Sequence, residues 1–278
     1  MLSYFTPPAI AEAKVTKKTF TKGIVLSTYC ALYSIALMMS SHSYAHFLEL
    51  IPDRDYVSNT QPQALSFALR FTHPMSQGPI MNMALPKQLF VSSNNKTTDL
   101  LPILKTNAMQ NQQWSFTYRV TEPGDLKFFV EPTPYWEADE GKMIIHYTKV
   151  VVDGFGDFNG WDQSIGAPVE IEPLSRPYSL WVGNNFSGIV KHQGKPVAYA
   201  QIEVEWRNDG SVLKPSDSYI TQVIKADANG TFHYALPRAG WWGFAALIDA
   251  NYQLPSPAGK QVPVELGGLI WINAKQMQ

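Results

Sequence analysis

Three histidines, His46, His73 and His146, are the residues of this sequence best suited to chemistry, because imidazole nitrogens bind transition-metal ions. His46 directly follows Ser43-Tyr44-Ala45, a small-x-small pattern at which signal peptidase cleaves. Cleavage after Ala45 would give His46 a free α-amine, and this amine and Nδ1 can close a six-membered chelate on one metal ion. A histidine within a chain offers one ligand atom, whereas a terminal histidine offers two.

The other two histidines are tied to predicted strands. His73 ends an apolar run and precedes Pro74, which favours an extended backbone at the start of a loop. His146 lies within the β-branched run Met143–Val152, where alternation places Lys149 on the opposite face. We expect Lys149 to face water and His146 to point inward. A metal ion would satisfy one nitrogen of a buried imidazole, and hydrogen bonds to backbone carbonyls are the alternative.

Together these residues offer an all-nitrogen ligand set of one amine and three imidazoles. Such a set suits Ni(II), Co(II), Cu(II) or Zn(II) and disfavours Ca(II) and Mg(II), and affinity order alone favours Cu(II). His192 and His233 have no partner histidine in the pattern, and His42 precedes the cleavage site.

Two further clusters have simpler explanations. Met75, Met81 and Met83 carry thioethers, which select Cu(I), but methionines more often fill a core. The acidic run Asp153–Asp162 does not match the spacing of a calcium loop and is typical of turns. The sequence contains no phosphate-binding loop and no serine-nucleophile motif.

The elements that position these residues are predicted to be strands. Short β-branched and aromatic runs separated by Pro, Gly, Asn and Asp predict an all-β fold with two β-sandwich domains of the Ig-like kind. Residues 1–45 are interpreted as a cleaved signal peptide, 46–175 as an N-terminal metal-binding sandwich and 176–278 as a C-terminal sandwich. The predicted strands are Ala64–Phe71, Gln88–Ser92, Trp114–Val120, Leu126–Glu131, Met143–Val152, Val169–Glu172, Phe186–Lys191, Ala200–Arg207, Thr231–Leu236, Gly243–Ile248 and Leu269–Ala274.

The N-terminal segment predicts export to the periplasm. An apolar stretch, Gly23–Met39, follows four lysines and is short for a membrane span, although an uncleaved anchor is the alternative. The single cysteine, Cys30, lies in this segment, so the mature chain would have no disulfide and no thiolate site. Cleavage after Ser43 instead would make His46 the third residue, a position that binds Ni(II) or Cu(II) in a square plane.

Charge argues against a nucleic-acid partner. Without residues 1–45 the chain has 18 Lys and Arg against 22 Asp and Glu, a net charge of −4. Nucleic-acid binding needs a basic surface.

Several stretches resemble a known family, and together they cover nearly the whole mature chain. They are Ala45–Pro52, Phe71–Pro74, Gly78–Met83, Tyr135–Glu137, Ile145–Val150 and Ala239–Phe244. The chain resembles the periplasmic accessory proteins found with nickel and cobalt ABC-type uptake systems, a domain-of-unknown-function family. One position departs from the resemblance, because Tyr44 stands where the family carries the first histidine of a His-x-His pair.

The resemblance implies a periplasmic protein that captures Ni(II) or Co(II) for the membrane components of an ABC-type transporter and is not an enzyme. It implies that His46, His73 and His146 are the metal ligands. It also implies a transthyretin-like or carboxypeptidase-regulatory-like sandwich in the C-terminal half.

Two alternatives remain open from the sequence. A terminal histidine with a second histidine on a β-sandwich is also typical of copper-dependent oxidative enzymes that cleave polysaccharides. A third histidine would occupy coordination space that oxygen needs, and the absence of disulfides is unusual for that class. The other alternative is a structural two-sandwich module that binds no metal.

Overall fold

The predicted all-β fold is confirmed in the computed structural model, which describes residues 46–107 and 113–277. Helical structure in these residues is confined to two single turns of 3-10 helix, Leu101–Ile103 and Asp217–Tyr219. No helix in the described part of the chain is long and apolar enough to span a membrane. The predicted signal peptide, with its cleavage site after Ala45, lies outside the described residues.

The strands of the first half include every strand that the sequence predicted there. They are β1 (Phe47–Pro52), β2 (Tyr56–Val57), β3 (Ala64–Thr72), β4 (Gln88–Ser93), β5 (Lys96–Asp99), β6 (Lys105–Asn107), β7 (Gln113–Arg119), β8 (Gly124–Glu131), β9 (Tyr135–Glu137), β10 (Lys142–Gly154) and β11 (Val169–Pro173).

The strands of the second half also match the prediction, with two of them much longer than expected. They are β12 (Leu180–Trp181), β13 (Asn185–His192), β14 (Lys195–Pro196), β15 (Gln201–Trp206), β16 (Gln222–Lys225), β17 (Thr231–Ala235), β18 (Gly240–Pro255) and β19 (Gln261–Lys275).

One large sheet runs through both halves of the described chain. Its order is β16-β15-β18-β19-β10-β8-β4-β5, and two smaller sheets, β1-β3-β7-β6 and β11-β13-β14 with β17, lie beside it. The two halves meet where β10 pairs in parallel with β19, in register from Met143 opposite Val264 to Val150 opposite Trp271. The domain boundary predicted at residue 175 stays a prediction, and hydrogen bonds of this sheet cross it.

The largest apolar cluster packs strands β1, β3 and β7 against the large sheet. Phe47, Phe67, Phe128 and Trp271 are buried in it, and the Trp271 indole N–H donates to the carbonyl of Leu48 at 2.9 Å. A second cluster lies around Phe186, Phe232 and Phe244 in the C-terminal half. The first cluster fixes β1 firmly, and this strand carries His46 at its start.

Both faces of β10 are buried, so the expectation that Lys149 faces water is wrong. Its side chain is 3% exposed, and its ammonium lies 2.5 Å from the Glu170 carboxylate, which also accepts the backbone N–H groups of Ile165 and Gly166. The expectation that His146 points inward holds, since its exposure is 3%. Strand β11 covers the face that alternation had assigned to solvent, and a buried partner carboxylate makes that burial tolerable.

Candidate functional site

Strand pairing brings His46 and His73 together. Antiparallel pairing sets Phe47, the first residue of β1, opposite Thr72, the last residue of β3. His46 precedes Phe47 and His73 follows Thr72, so the two imidazoles lie at the same end of the pair, with ring centroids 4.2 Å apart. Two histidines 27 positions apart in sequence are therefore neighbours because of the register of two strands.

His146 lies beside this pair and is separated from it by one aromatic ring. The Phe71 ring centroid is 5.3 Å from that of His46 and 5.8 Å from that of His146. The structure thus gathers all three predicted histidines, with two in ring contact and the third across Phe71.

The neighbouring strand β19 leaves space for the His146 ring. Its register partner on β19 is Gly267, and a Cβ atom there would lie 2.4 Å from Cδ2 of His146 and 3.0 Å from Nε2. A contact of 2.4 Å is far inside van der Waals distance, so any side chain at position 267 would displace the imidazole.

We therefore expect Gly267→Ala to lower the affinity of the site for metal while leaving a folded protein. The Cβ must push the imidazole away, and overpacking of this kind costs about 1–3 kcal/mol of stability. Thermal unfolding and metal titration of the same preparation measure the two effects. Gly259→Ala is the control for lost stability, because its φ of +79° makes a side chain strain the backbone, whereas its Cβ meets nothing within 4 Å and so displaces no imidazole. Unchanged metal affinity in Gly267→Ala would show that the position of His146 does not matter.

Glu137 is a site residue that the histidine pattern missed. Strand β9 forms a short hairpin with β10, and Glu137 lies with its Oε2 3.1 Å from Nδ1 of His46. Donor atoms about 2.1 Å from one metal ion lie roughly 3–3.5 Å apart, so this separation fits two ligands of a common ion. The signal available in the sequence was an acidic residue on a short aromatic strand, Tyr135–Glu137, within seven residues of the run around His146.

Ligating atoms in this cluster are buried without hydrogen-bond partners. Nδ1 of His46, Oε2 of Glu137, and both ring nitrogens of His146 are in this state. Nε2 of His146 lies 3.7 Å from Oε1 of Glu265, which is longer than a hydrogen bond. Buried polar atoms are nearly always paired, and a bound ion is one of the ways to pair them.

Electrostatics keep the His46 imidazole in the form that binds metal. Burial lowers its pKa to about 3, and the neighbouring His73 and His146 add to the effect. The ring is therefore neutral at neutral pH, as metal ligation requires. Burial raises the pKa of Glu137, and the neighbouring Glu140 and Asp139 carboxylates add to the rise, so a nearby cation would stabilise its charged form.

A charged pair flanks the histidines on the β19 side. The Lys142 ammonium contacts Glu140 and lies 2.5 Å from Oε2 of Glu265. Although burial raises the pKa of Glu265, its interactions with His146 and Lys142 outweigh burial and bring the value to about 2. Glu265 is thus an anion beside His146.

The cluster is not closed into a finished coordination sphere. Across residues 46–107 and 113–277, no group of three or more His, Cys, Asp or Glu side chains is arranged to hold a metal ion. A cavity of about 110 Å³ lined by Phe71, Tyr135, Trp136 and His146 opens beside it. Of the three histidines only His146 lines this cavity, so only its ring has space on this side to reorient.

Glu205 anchors the loop that follows His73. This buried side chain on β15 accepts the backbone N–H of Met75 at 2.9 Å and the Thr221 hydroxyl at 2.6 Å. Burial raises its pKa to about 8, against an ordinary value of 4.5. The folded chain holds this proton between those values after the unfolded chain has lost it.

The contribution of Glu205 to stability is therefore expected to fall as pH rises from about 4.5 to 8, and Glu205→Gln is expected to remove that contribution. Between these pH values the Glu205 carboxyl binds its proton in the folded state and has lost it in the unfolded state, so its contribution to the slope of stability against pH is negative. Urea unfolding of both proteins at pH 5 and pH 8 measures it. Equal pH slopes in the two proteins would contradict the prediction.

Comparison with known protein families shows to which family the chain belongs. The model of DUF4198, a domain of unknown function, matches residues 43–250, a range that includes all three histidines and Glu137. The chain belongs to the DUF4198 family. Membership confirms the expected domain-of-unknown-function family, whereas the association with nickel and cobalt uptake remains to be tested. No curated protein is significantly similar to this DUF4198 chain in sequence.

The solved structures that resemble the DUF4198 chain do so only weakly. Dimeric latent PorU from Porphyromonas gingivalis is 12% identical with a TM-score of 0.23, and an ice-binding, Ca²⁺-stabilised adhesin from an Antarctic bacterium is 11% identical with 0.22. The chain aligns over 83% and 84% of its length with these two but spans only 20% and 50% of them. A titin I-band fragment is 12% identical with a TM-score of 0.20, over 84% of this chain and 67% of the fragment. These likenesses carry no argument about function.

Proposed function

We propose that this DUF4198 protein captures a transition-metal ion, Ni(II) or Co(II), with His46, His73 and His146 as ligands and Glu137 as a fourth. The carrying observation is the 3.1 Å approach of His46 Nδ1 to Glu137 Oε2, two buried ligating atoms without hydrogen-bond partners. The His73 ring lies against the same imidazole. One ion between these groups would satisfy them together.

The donor set favours this class of ion. Three imidazoles and one carboxylate suit Ni(II), Co(II), Cu(II) and Zn(II), whereas Ca(II) and Mg(II) prefer oxygen ligands throughout. The His146 ring lines the adjacent cavity and would have to rotate for its nitrogen to share an ion with His46 and Glu137. Cleavage after Ala45 would add the α-amine of His46 as a further ligand.

The ion is cargo in this proposal and not a catalytic cofactor. The protein acts in the periplasm by binding metal and passing it to the membrane components of an ABC-type transporter. Release would follow from protonation of the ligands or from transfer to a stronger site, because metal affinity is coupled to ligand protonation.

Metal titration of the secreted protein tests the proposal. Intact mass first establishes whether His46 is the N-terminal residue, and calorimetry with Ni(II), Co(II), Cu(II) and Zn(II) then gives the affinities, with Ca(II) and Mg(II) as controls. A specific ion at 100 times its dissociation constant stabilises by about 2.7 kcal/mol, which should raise the melting temperature by roughly 5–10 °C.

The outcomes of these titrations distinguish the three functional hypotheses. Binding of Ni(II) or Co(II) with one site supports capture. No binding and no thermal shift with any of the four ions would favour a metal-free structural module and contradict the proposal. Oxidised oligosaccharides formed from chitin or cellulose with copper and a reductant would favour the oxidative enzyme instead.

A further inference from the structure

A groove on the outer side of His73 carries two arginines. Arg70 on β3 and Arg207, directly after β15, line it together with His73 and Asn208, and its volume is about 300 Å³. That volume lies at the lower end of the range of small-molecule sites.

The two guanidinium groups share one buried carboxylate. Arg70 Nη2 lies 2.6 Å from one oxygen of Glu49, and Arg207 Nε lies 3.3 Å from the other. Glu49 is 1% exposed, so it neutralises one of the two positive charges and is unavailable to a ligand. The local charge of this trio is +1.

Hydrogen-bonding capacity is left over on both arginines. Arg70 Nε is buried without a hydrogen-bond partner, and within the described residues neither terminal nitrogen of Arg207 has a partner. Asp209 also lines the groove, and its carboxylate accepts the backbone N–H and the hydroxyl of Ser211 and stays negatively charged. The nearby Arg238 guanidinium partly offsets that charge. Arg238 donates to that same hydroxyl.

The groove and the candidate metal site share His73. Its side chain lines the groove, and its ring contacts His46. A ligand whose anionic end lies on the arginines can therefore place a bound metal ion at the histidines.

We propose that the groove binds the carboxylates of a small chelator, so that the metal ion enters this site as a carboxylate complex. The inference rests on the proposed metal capture and names the form of the cargo. Guanidinium groups bind carboxylates through paired, charge-assisted hydrogen bonds. The histidines would then replace solvent molecules on the ion while the chelator stays bound through its free carboxylate.

Retention of labelled citrate tests this. The protein is loaded with Ni(II) plus radiolabelled citrate, with citrate alone, or with NiCl₂ alone, and passed through a desalting column. We expect the wild type to retain citrate only when nickel is present. Arg207→Gln should retain nickel from NiCl₂ but hold citrate at least about tenfold more weakly. Arg119→Gln is the control, because Arg119 is exposed and donates to Gln63 away from the groove.

Arg207→Lys distinguishes the paired hydrogen bonds of a guanidinium group from the effect of charge alone. It keeps the positive charge beside Glu49, so the variant is expected to fold. It should lose citrate nearly as Arg207→Gln does while melting close to the wild type. Wild-type protein that keeps nickel but releases citrate would overturn the inference and leave metal capture intact. Retention of citrate by Arg207→Gln at the wild-type level would overturn it equally. Failure of the wild type to retain nickel in any form would overturn both proposals.

Discussion

His146→Ala is expected to weaken Ni(II) binding by more than about 100-fold, because partners outside the ligand shell alone contribute 10–100-fold in known metal sites. Both nitrogens of this buried imidazole lack hydrogen-bond partners, so ligation of a metal ion would break no hydrogen bond. Calorimetry of wild type and variant, with a competing chelator for the tighter complex, measures the loss.

The control for His146→Ala is His233→Ala. His233 is exposed and its Nδ1 lies 2.6 Å from the Ser187 hydroxyl, on the far hairpin formed by β13 and β17. We expect its loss to leave nickel affinity unchanged. Melting curves of the metal-free variants establish that each is folded. Equal affinities for His146→Ala and wild type would remove His146 from the site.

Glu170→Gln is expected to lower the free energy of unfolding by about 3–5 kcal/mol, the largest stability effect that we predict. The substitution leaves the Lys149 ammonium, 3% exposed, without its carboxylate partner 2.5 Å away. An unpaired buried charge is costly because the protein interior replaces water poorly as a solvent for it. Urea unfolding at pH 7 measures the loss.

The double variant Lys149→Met, Glu170→Gln isolates the charge. It removes the ammonium and keeps an amide oxygen that can accept one of the N–H groups of Ile165 and Gly166. Most of the lost stability should return, because apolar replacement of buried pairs is often neutral. A loss below about 1 kcal/mol in Glu170→Gln alone would show that Lys149 finds another partner or loses its proton.

The local sequence pattern was enough to predict most strands, but it did not show which other elements cover the faces of those strands. Runs such as Ala64–Phe71 and Phe186–Lys191 reappear almost residue for residue in β3 and β13. Strand β1 has no alternation, since all six of its residues are buried, and period-two reasoning passed over it. Lys149 was misplaced for the same reason, because burial of both faces of β10 depends on β11, a non-local partner.

The residues of the candidate site were more predictable than their geometry. His46, His73 and His146 follow from residue type and position, yet the register that joins His46 to His73 is a tertiary property of β1 and β3. Glu137 and Gly267 carry no ligand signature of their own. Each matters only because β9 and β19 pair with β10 beside His146.

The most direct test of metal capture is a crystal structure of the nickel-loaded protein with anomalous diffraction at the nickel edge. We expect one strong anomalous peak about 2.1 Å from ring nitrogens of His46, His73 and His146, with Glu137 Oε2 beside it. At saturating nickel, a peak elsewhere on the molecule, or none, would contradict the proposed function.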